Sequence, residues 1–311
     1  MEVINAAVQV MVFMALGFMS RRLKWTNADT VGPMTKIVLN IALPCLIVNS
    51  MVIPFEQEKL NQGFLSLAMV VLLLVCFGLC GLLWARLLKP HDRQKNAVLR
   101  MFFLFNNFML IGVPIIEAVF GSEGVFYTGL MGLPQRAIMF MVLPLVYGSV
   151  AEGEYHTEFS WRLLLQMPSI AVFVGLFMFV AQIQIPGVIR GCLSSLGGMA
   201  MPLGMMMAGM QLADVDLRSL FRDWTLPVAL LIKNMLHPLI ALVLLRSLGF
   251  PTLLVQLGVI FAAVPAPAMM VVYAANYRVQ PGYAGANMFL STLCSAVTLP
   301  FWSYIVTTVV F

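Results

Sequence analysis

The stretch that decides the fold is FNNFMLIGVP, residues 105–114. It lies in the middle of an apolar run that should cross a membrane as one helix. Yet it opens on two adjacent carboxamides, Asn106 and Asn107, and closes on Gly112 and Pro114. A plain lipid-facing helix has no use for these residues. Proline removes a backbone donor and clashes with the preceding turn, so the sequence predicts a helix break near Pro114. Backbone groups freed at membrane depth are tolerated only inside protein or around a wet cavity.

The rest of the chain places that run among others like it. Of 311 residues, 61% are hydrophobic and 10% charged, whereas soluble domains are about half apolar and a quarter charged. Apolar stretches long enough to span a hydrocarbon core recur at about 3–20, 31–53, 63–86, 97–119, 124–149, 162–183, 188–211, 225–247, 252–276 and 282–308. The expected fold is therefore an all-α polytopic membrane protein with ten transmembrane helices. The first run lacks a basic leader and a cleavage site, and is read as a retained span. The net charge of +5 does not signal nucleic acid, because the basic residues sit in short connections between spans. Fourteen of them, Lys36 and Lys233 included, flank the odd-numbered connections; only Lys59, Arg190 and Arg246 flank the even-numbered ones. Positive charge marks the cytoplasmic side. The expected location is the cell membrane, plasma or inner, multi-pass, with both termini outside the cytoplasm.

The chain also reads as two halves. IALPCLIVNSM in helix 2 (41–51) matches MAMPLGMMMAGM in helix 7 (199–210), pairing Pro44 with Pro202. IGVP in helix 4 (111–114) matches AAVPAP in helix 9 (262–267), pairing Pro114 with Pro265, beside Pro267. Both offsets are close to half the chain length. This divides the chain into a first five-helix repeat, 1–150, a short cytoplasmic linker, 151–161, and a second repeat, 162–311. Five is odd, so the second repeat enters the membrane inverted. Inverted repeats with interrupted helices at equivalent positions mark secondary transporters, whose sites lie where the breaks meet near the midplane. Half-helix N-termini there offer uncommitted amides and a positive dipole end to an anion. Asn106 and Asn107 would add side-chain donors at one break, with Pro265 and Ala266 at the other.

Charged residues inside the spans are few. Arg136, in LPQRAIMF, falls at the centre of helix 5, where a charge is costly unless paired or wet. No Asp or Glu lies deep in any span to pair with it; Glu117 sits toward the outer end of helix 4. Arg136 is read as an anion ligand, the competing reading being a guanidinium capped by carbonyls at the breaks. Gln135 is the weaker neighbour. Lys36 and Lys233 are expected to snorkel from helices 2 and 8 to the interface, or to form a cationic vestibule. Asn40, Asn49, Gln211 and Asn234 read as interhelical hydrogen-bonding groups, and His237 as structural, with proton carriage the alternative. The cysteines, Cys45, Cys76, Cys80, Cys192 and Cys294, all lie in apolar segments with no His or carboxylate completing a metal set, so no metal and no cofactor are expected.

The chain resembles the auxin efflux carrier family. The resemblance is carried by NNFMLIGVP (106–114), ANYRVQP (275–281), VLNIALPCLI (38–47) and STLCSAVTLP (291–300), and covers nearly the whole chain. It implies ten helices with helices 4 and 9 broken and crossing, and transport of small organic anions. The short central connection is similar to the prokaryotic branch, which includes malate and malonate permeases. In the plant carriers a helix 4 asparagine contacts the substrate carboxylate, and the matching position here is Asn107. Plant members often carry proline just before it, where this chain has Asn106, so the break in helix 4 is expected to differ in shape.

The function expected is secondary transport of mono- or dicarboxylates by alternating access. The partners would be the organic anion and the lipid bilayer, with a homodimer left open. Catalytic sets such as HExxH or GxSxG are missing, as are the rings of one residue type expected of a channel. Ten spans with an inverted repeat disfavour a receptor. An inside-negative potential of about 100 mV favours anion exit by about 2.3 kcal/mol per charge, which makes passive export the leading direction. Sodium coupling stays open, because carbonyls at broken helices bind Na⁺ without an acidic residue.

Overall fold

A computed structural model describes residues 2–88, 92–151, 165–213 and 223–309. Of the expected linker 151–161 only Ala151 is among them; Lys89, Arg162, Asp214, Asp216, Arg218, Arg222 and the Gln211 side chain lie outside the described residues. Among those described the chain is helical throughout, with no strands. The helices are α1 (Glu2–Arg22), α2 (Val31–Met51), α3 (Gln57–Leu87), α4 (Arg93–Leu104), α5 (Val113–Gly148), α6 (Met167–Val180), α7 (Gly187–Gly197), α8 (Ala200–Ala213), α9 (Thr225–Ser247), α10 (Thr252–Ala263), α11 (Ala268–Asn276) and α12 (Pro281–Tyr304).

Six stretches are long and apolar enough to cross a membrane, seven if the bent pair α10–α11 counts as one span; α6 is apolar but shorter. The outer surface carries Leu79, Phe177, Val188, Val243 and Val297 largely exposed. Side chains of that kind belong against lipid rather than water. Burial runs the other way inside, where the aromatic residues Phe102, Phe103, Phe105, Phe108 and Phe261 are almost wholly covered.

One of the six stretches, Arg93–Gly148, runs for 56 residues. At 1.5 Å per residue it would overshoot a hydrocarbon core of about 30 Å more than twofold if straight. It folds back at Gly121, whose φ of 62° and ψ of −156° belong to a region open essentially to glycine. Gln135 Nε2 donates to the Asn106 carbonyl at 2.6 Å, although the two residues lie on opposite sides of Gly121. A Cβ on Gly121 would meet nothing within 4 Å, so the demand there is on backbone conformation alone.

The break in the first half does not sit where Pro114 predicted. Helix α4 ends at Leu104, and Phe105–Asn107 are non-helical; a π turn, Phe108–Gly112, then leads into α5. Gly112 is helical and Pro114 lies in the first turn of α5, where a missing N–H costs little. The break precedes Pro114 instead of lying at it. Pro44 and Pro238 repeat the device, following π turns at Val38–Ala42 and Ile232–Leu236. In all three cases the π turn begins six residues before the proline. The wider turn shifts hydrogen bonding past the carbonyl that the ring would strike, so the helix continues through. The carbonyl that Pro238 leaves without its usual donor, that of Asn234, is taken by Trp302 Nε1 at 2.9 Å. Pro202 follows a two-residue turn, Gly198–Met199, between α7 and α8. In the other half the helix does open at its prolines, with Val264–Pro267 separating α10 from α11 at a bend of 42°.

Candidate functional site

The two openings touch. The Asn107 N–H donates to the Pro265 carbonyl at 2.7 Å, and the Ala266 N–H donates to Ser291 Oγ of α12 at 3.2 Å. Each break therefore satisfies part of the other's backbone, as buried amides and carbonyls require. Beside this contact lies a cavity of about 190 Å³. Asn106, Asn107, Gln135, Arg136, Gln166 and Thr35 supply its polar lining; Leu39, Met109, Met139, Phe140 and Met269 supply most of the apolar lining. Phe108 and Met109 open the π turn that leads into α5, and Ala268 and Met269 open α11. The cavity thus meets the N-terminal turns of both continuing helices, where N–H groups lack intrahelical partners and the dipole is positive.

Arg136 is only 7% exposed and donates through Nη1 to Ser169 Oγ of α6. The expected alternative, a guanidinium capped by carbonyls at the breaks, is not what is found. Those carbonyls have other partners: Gln135 holds that of Asn106, and Lys233 holds those of Phe103 and Phe105. No carboxylate lies within ion-pair distance of Arg136 among the described residues. A guanidinium has five N–H donors in a planar fork that suits a carboxylate. Arg136 also borders a second cavity, of about 480 Å³, with Leu165, Ser169 and Phe173, so it stands between the central space and the α5–α6 flank.

Lys233 corrects the sequence expectation most sharply. Neither snorkelling nor forming a vestibule, it is 0% exposed, and its ammonium donates to Phe103 O at 3.3 Å, to Phe105 O at 3.1 Å and to Asn106 Oδ1. The signal available was depth, since Lys233 lies eight residues inside the apolar stretch that opens at Thr225. Removing it from the interfacial charges leaves thirteen against three, which does not alter the sense of the bias. Lys36, by contrast, is exposed.

The remaining polar residues sort themselves around these two cations. Asn106 spends its carbonyl and its Oδ1 on Gln135 and Lys233, which leaves a buried Nδ2 donor with no acceptor among the described residues. Gln135, rated below Arg136 in the sequence, both lines the cavity and braces the break. Pro265 and Ala266 sit behind the cavity wall with the polar groups described above already engaged; Pro267 and Ala268 line it. Gly112, Pro44 and Pro202 do not line it. His237 is stacked on Phe77 at 4.6 Å and tilted against Phe103 at 5.5 Å, with neither ring nitrogen bonded among the described residues. Metal-binding clusters of three or more His, Cys, Asp or Glu are absent among the described residues.

An all-helical, multi-pass chain with a ligand-sized cavity where two interrupted helices touch has the build of a membrane transporter. Residues 2–303 match the family described as "Membrane transport protein", and the chain belongs to that family, the auxin efflux carriers. It is similar to an uncharacterized transporter of Methanothermobacter thermautotrophicus (strain Delta H), at 27% identity over 310 residues and 97% of each chain.

Proposed function

We propose that this transporter carries small organic anions, binding the carboxylate at Arg136 beside the interrupted helices. The observation that carries the reading is a buried guanidinium at a cavity whose described lining contains no acidic residue. Asn107 and the open Nδ2 of Asn106 supply further donors, and both half-helix N-termini add positive potential. One guanidinium matches one carboxylate, and the apolar lining suits a short hydrocarbon body. Monocarboxylates should therefore outrank dicarboxylates, whose second charge would meet methionine and leucine.

The mechanism proposed is alternating access between two inverted five-helix repeats. Ten spans follow if α1 and α6 cross, α4 to α5 counts as two spans around Gly121, and α7–α8 and α10–α11 count as one each. In each half one helix then opens at the shared contact, α4–α5 and α10–α11, and the two openings share a hydrogen bond. The cationic bias supports a cell-membrane topology with both termini outside the cytoplasm, and an inside-negative potential would favour export.

A thermal-shift and binding screen of mono- and dicarboxylates on the purified protein, followed by flux in proteoliposomes, tests this. Saturable, carboxylate-dependent stabilisation with carrier-rate flux is expected. Stabilisation by neutral or cationic solutes alone would overturn it.

A further inference from the structure

The Lys233 ammonium and the end of α4 fit one another donor for acceptor. An ammonium has three N–H donors and no acceptor. It meets three oxygens here: two backbone carbonyls, Phe103 and Phe105, and the side-chain oxygen of Asn106. The carbonyls belong to the last turn and cap of α4, which lack intrahelical donors and carry the negative end of the helix dipole. The ring of Phe102 lies 6.0 Å away, within reach of a cation–π contact. Nothing acidic among the described residues pairs with it. The titratable side chain beside it is His237, one turn on and buried in the aromatic stack.

A ring of carbonyls at an unwound segment and a half-helix C-terminus is the ligand set with which secondary transporters coordinate a sodium ion. We propose that Lys233 is a tethered cation occupying such a site, so that this transporter binds its anion without sodium. The inference rests on the anion reading above only for its consequence; the cation site stands on its own geometry. The cation is covalently part of the chain and cannot leave, so it contributes no ion to the transport cycle. Its charge neutralises the negative end of α4 while the positive helix ends at the cavity stay uncompensated. A lysine serving merely as a strut would share the hydrogen bonds but would leave no site behind when removed.

That difference is measurable. In wild type, melting temperature and affinity for carboxylate probes such as butyrate and malate should be equal in sodium, potassium and choline chloride at one ionic strength. Lys233→Ser vacates the three oxygens. In choline it should melt lower, and sodium, potassium or methylammonium should raise its Tm saturably, by about 2–4 °C near ten times the cation's Kd. Its carboxylate affinity should rise with the same cation. Lys233→Gln fills the space with a neutral donor and should show no such cation response.

Equal destabilisation of Lys233→Ser in every salt would leave only a strut and overturn the proposal. So would sodium-dependent anion affinity in wild type, which also decides the case if neither variant folds. A cation-responsive Tm in Lys233→Ser with no carboxylate binding by any of these proteins would retain the tethered cation and sink the anion reading instead.

Discussion

Arg136→Gln separates a ligand from a strut, and the sign of the stability change does the separating. Arg136 is 7% exposed, with Ser169 as its hydrogen-bond partner and no carboxylate nearby among the described residues. A buried cation with so little compensation weighs against the folded state when the site is empty. Glutamine keeps much of the volume and discards the charge, so the ligand-free variant should melt at the wild-type temperature or higher. Anion affinity should move oppositely. A charge-assisted hydrogen bond contributes about 1.5–3 kcal/mol, which corresponds to a loss of about ten- to a hundredfold. Arg136→Lys should recover part of it, because an ammonium cannot reproduce the guanidinium fork. Ser169→Ala removes the α6 partner and leaves the charge; it should retain affinity within a few-fold. Melting temperature and carboxylate affinity measured on these four proteins decide the matter. If Arg136→Gln and Ser169→Ala both lower Tm while leaving affinity intact, Arg136 ties α5 to α6 and plays no part in binding.

The other predictions follow from neighbouring geometry. Asn107→Ala should cost about ten- to a hundredfold in carboxylate affinity with little change in Tm, whereas Asn106→Ala should also lower Tm, because it strips an acceptor from Lys233 at about 1–3 kcal/mol; isothermal titration and melting curves distinguish the two. Gly121→Ala should destabilise by about 1–3 kcal/mol through its positive φ alone, while Gly32→Ala, in the first turn of α2 with open space around it, should be neutral or stabilising; equal Tm for the two variants would contradict the reversal at Gly121. Just before the start of α9, partial burial raises the Asp223 pKa, but hydrogen bonds from Lys95 and Thr225 outweigh it and hold the carboxyl below its ordinary value. A depressed folded pKa stabilises above the unfolded value and is lost as pH falls through the folded one. Asp223→Asn should therefore flatten the decline of Tm on acidification below about pH 4, the ordinary carboxylate value.

How much of this was legible in the sequence depended on whether the signal was local or paired across the fold. Helical membrane character and the presence of a break in FNNFMLIGVP follow from composition and from residues within one run, and the family from a resemblance carried by motifs spread along the chain. The position of that break does not. Proline forbids one hydrogen bond, but a π turn six residues earlier reroutes it at Pro44, Pro114 and Pro238. The chain opens instead at Phe105–Asn107, where Lys233, Gln135 and Pro265 supply partners from elsewhere in the fold. Depth in an apolar run marks a lysine as expensive, as it does Lys233. It does not show that three oxygens at and just past the end of α4 wait for it 127–130 residues upstream.

That pairing bears on why the proposed site would favour anions. A helix broken in mid-membrane creates two opposite dipole ends a few ångströms apart, and left alone they would largely cancel for any ligand between them. Here the negative end of α4 is covered by a cation that belongs to the chain, while the positive ends at Phe108 and Ala268 meet the cavity. Arg136 adds to what is left, and no acidic residue in the described lining offsets it. The selectivity of such a site therefore comes less from any one ligand than from which half of each broken dipole is left open. Neutralising Lys233 should weaken anion binding although Lys233 touches no anion, and supplying a small cation to the vacated site should restore it.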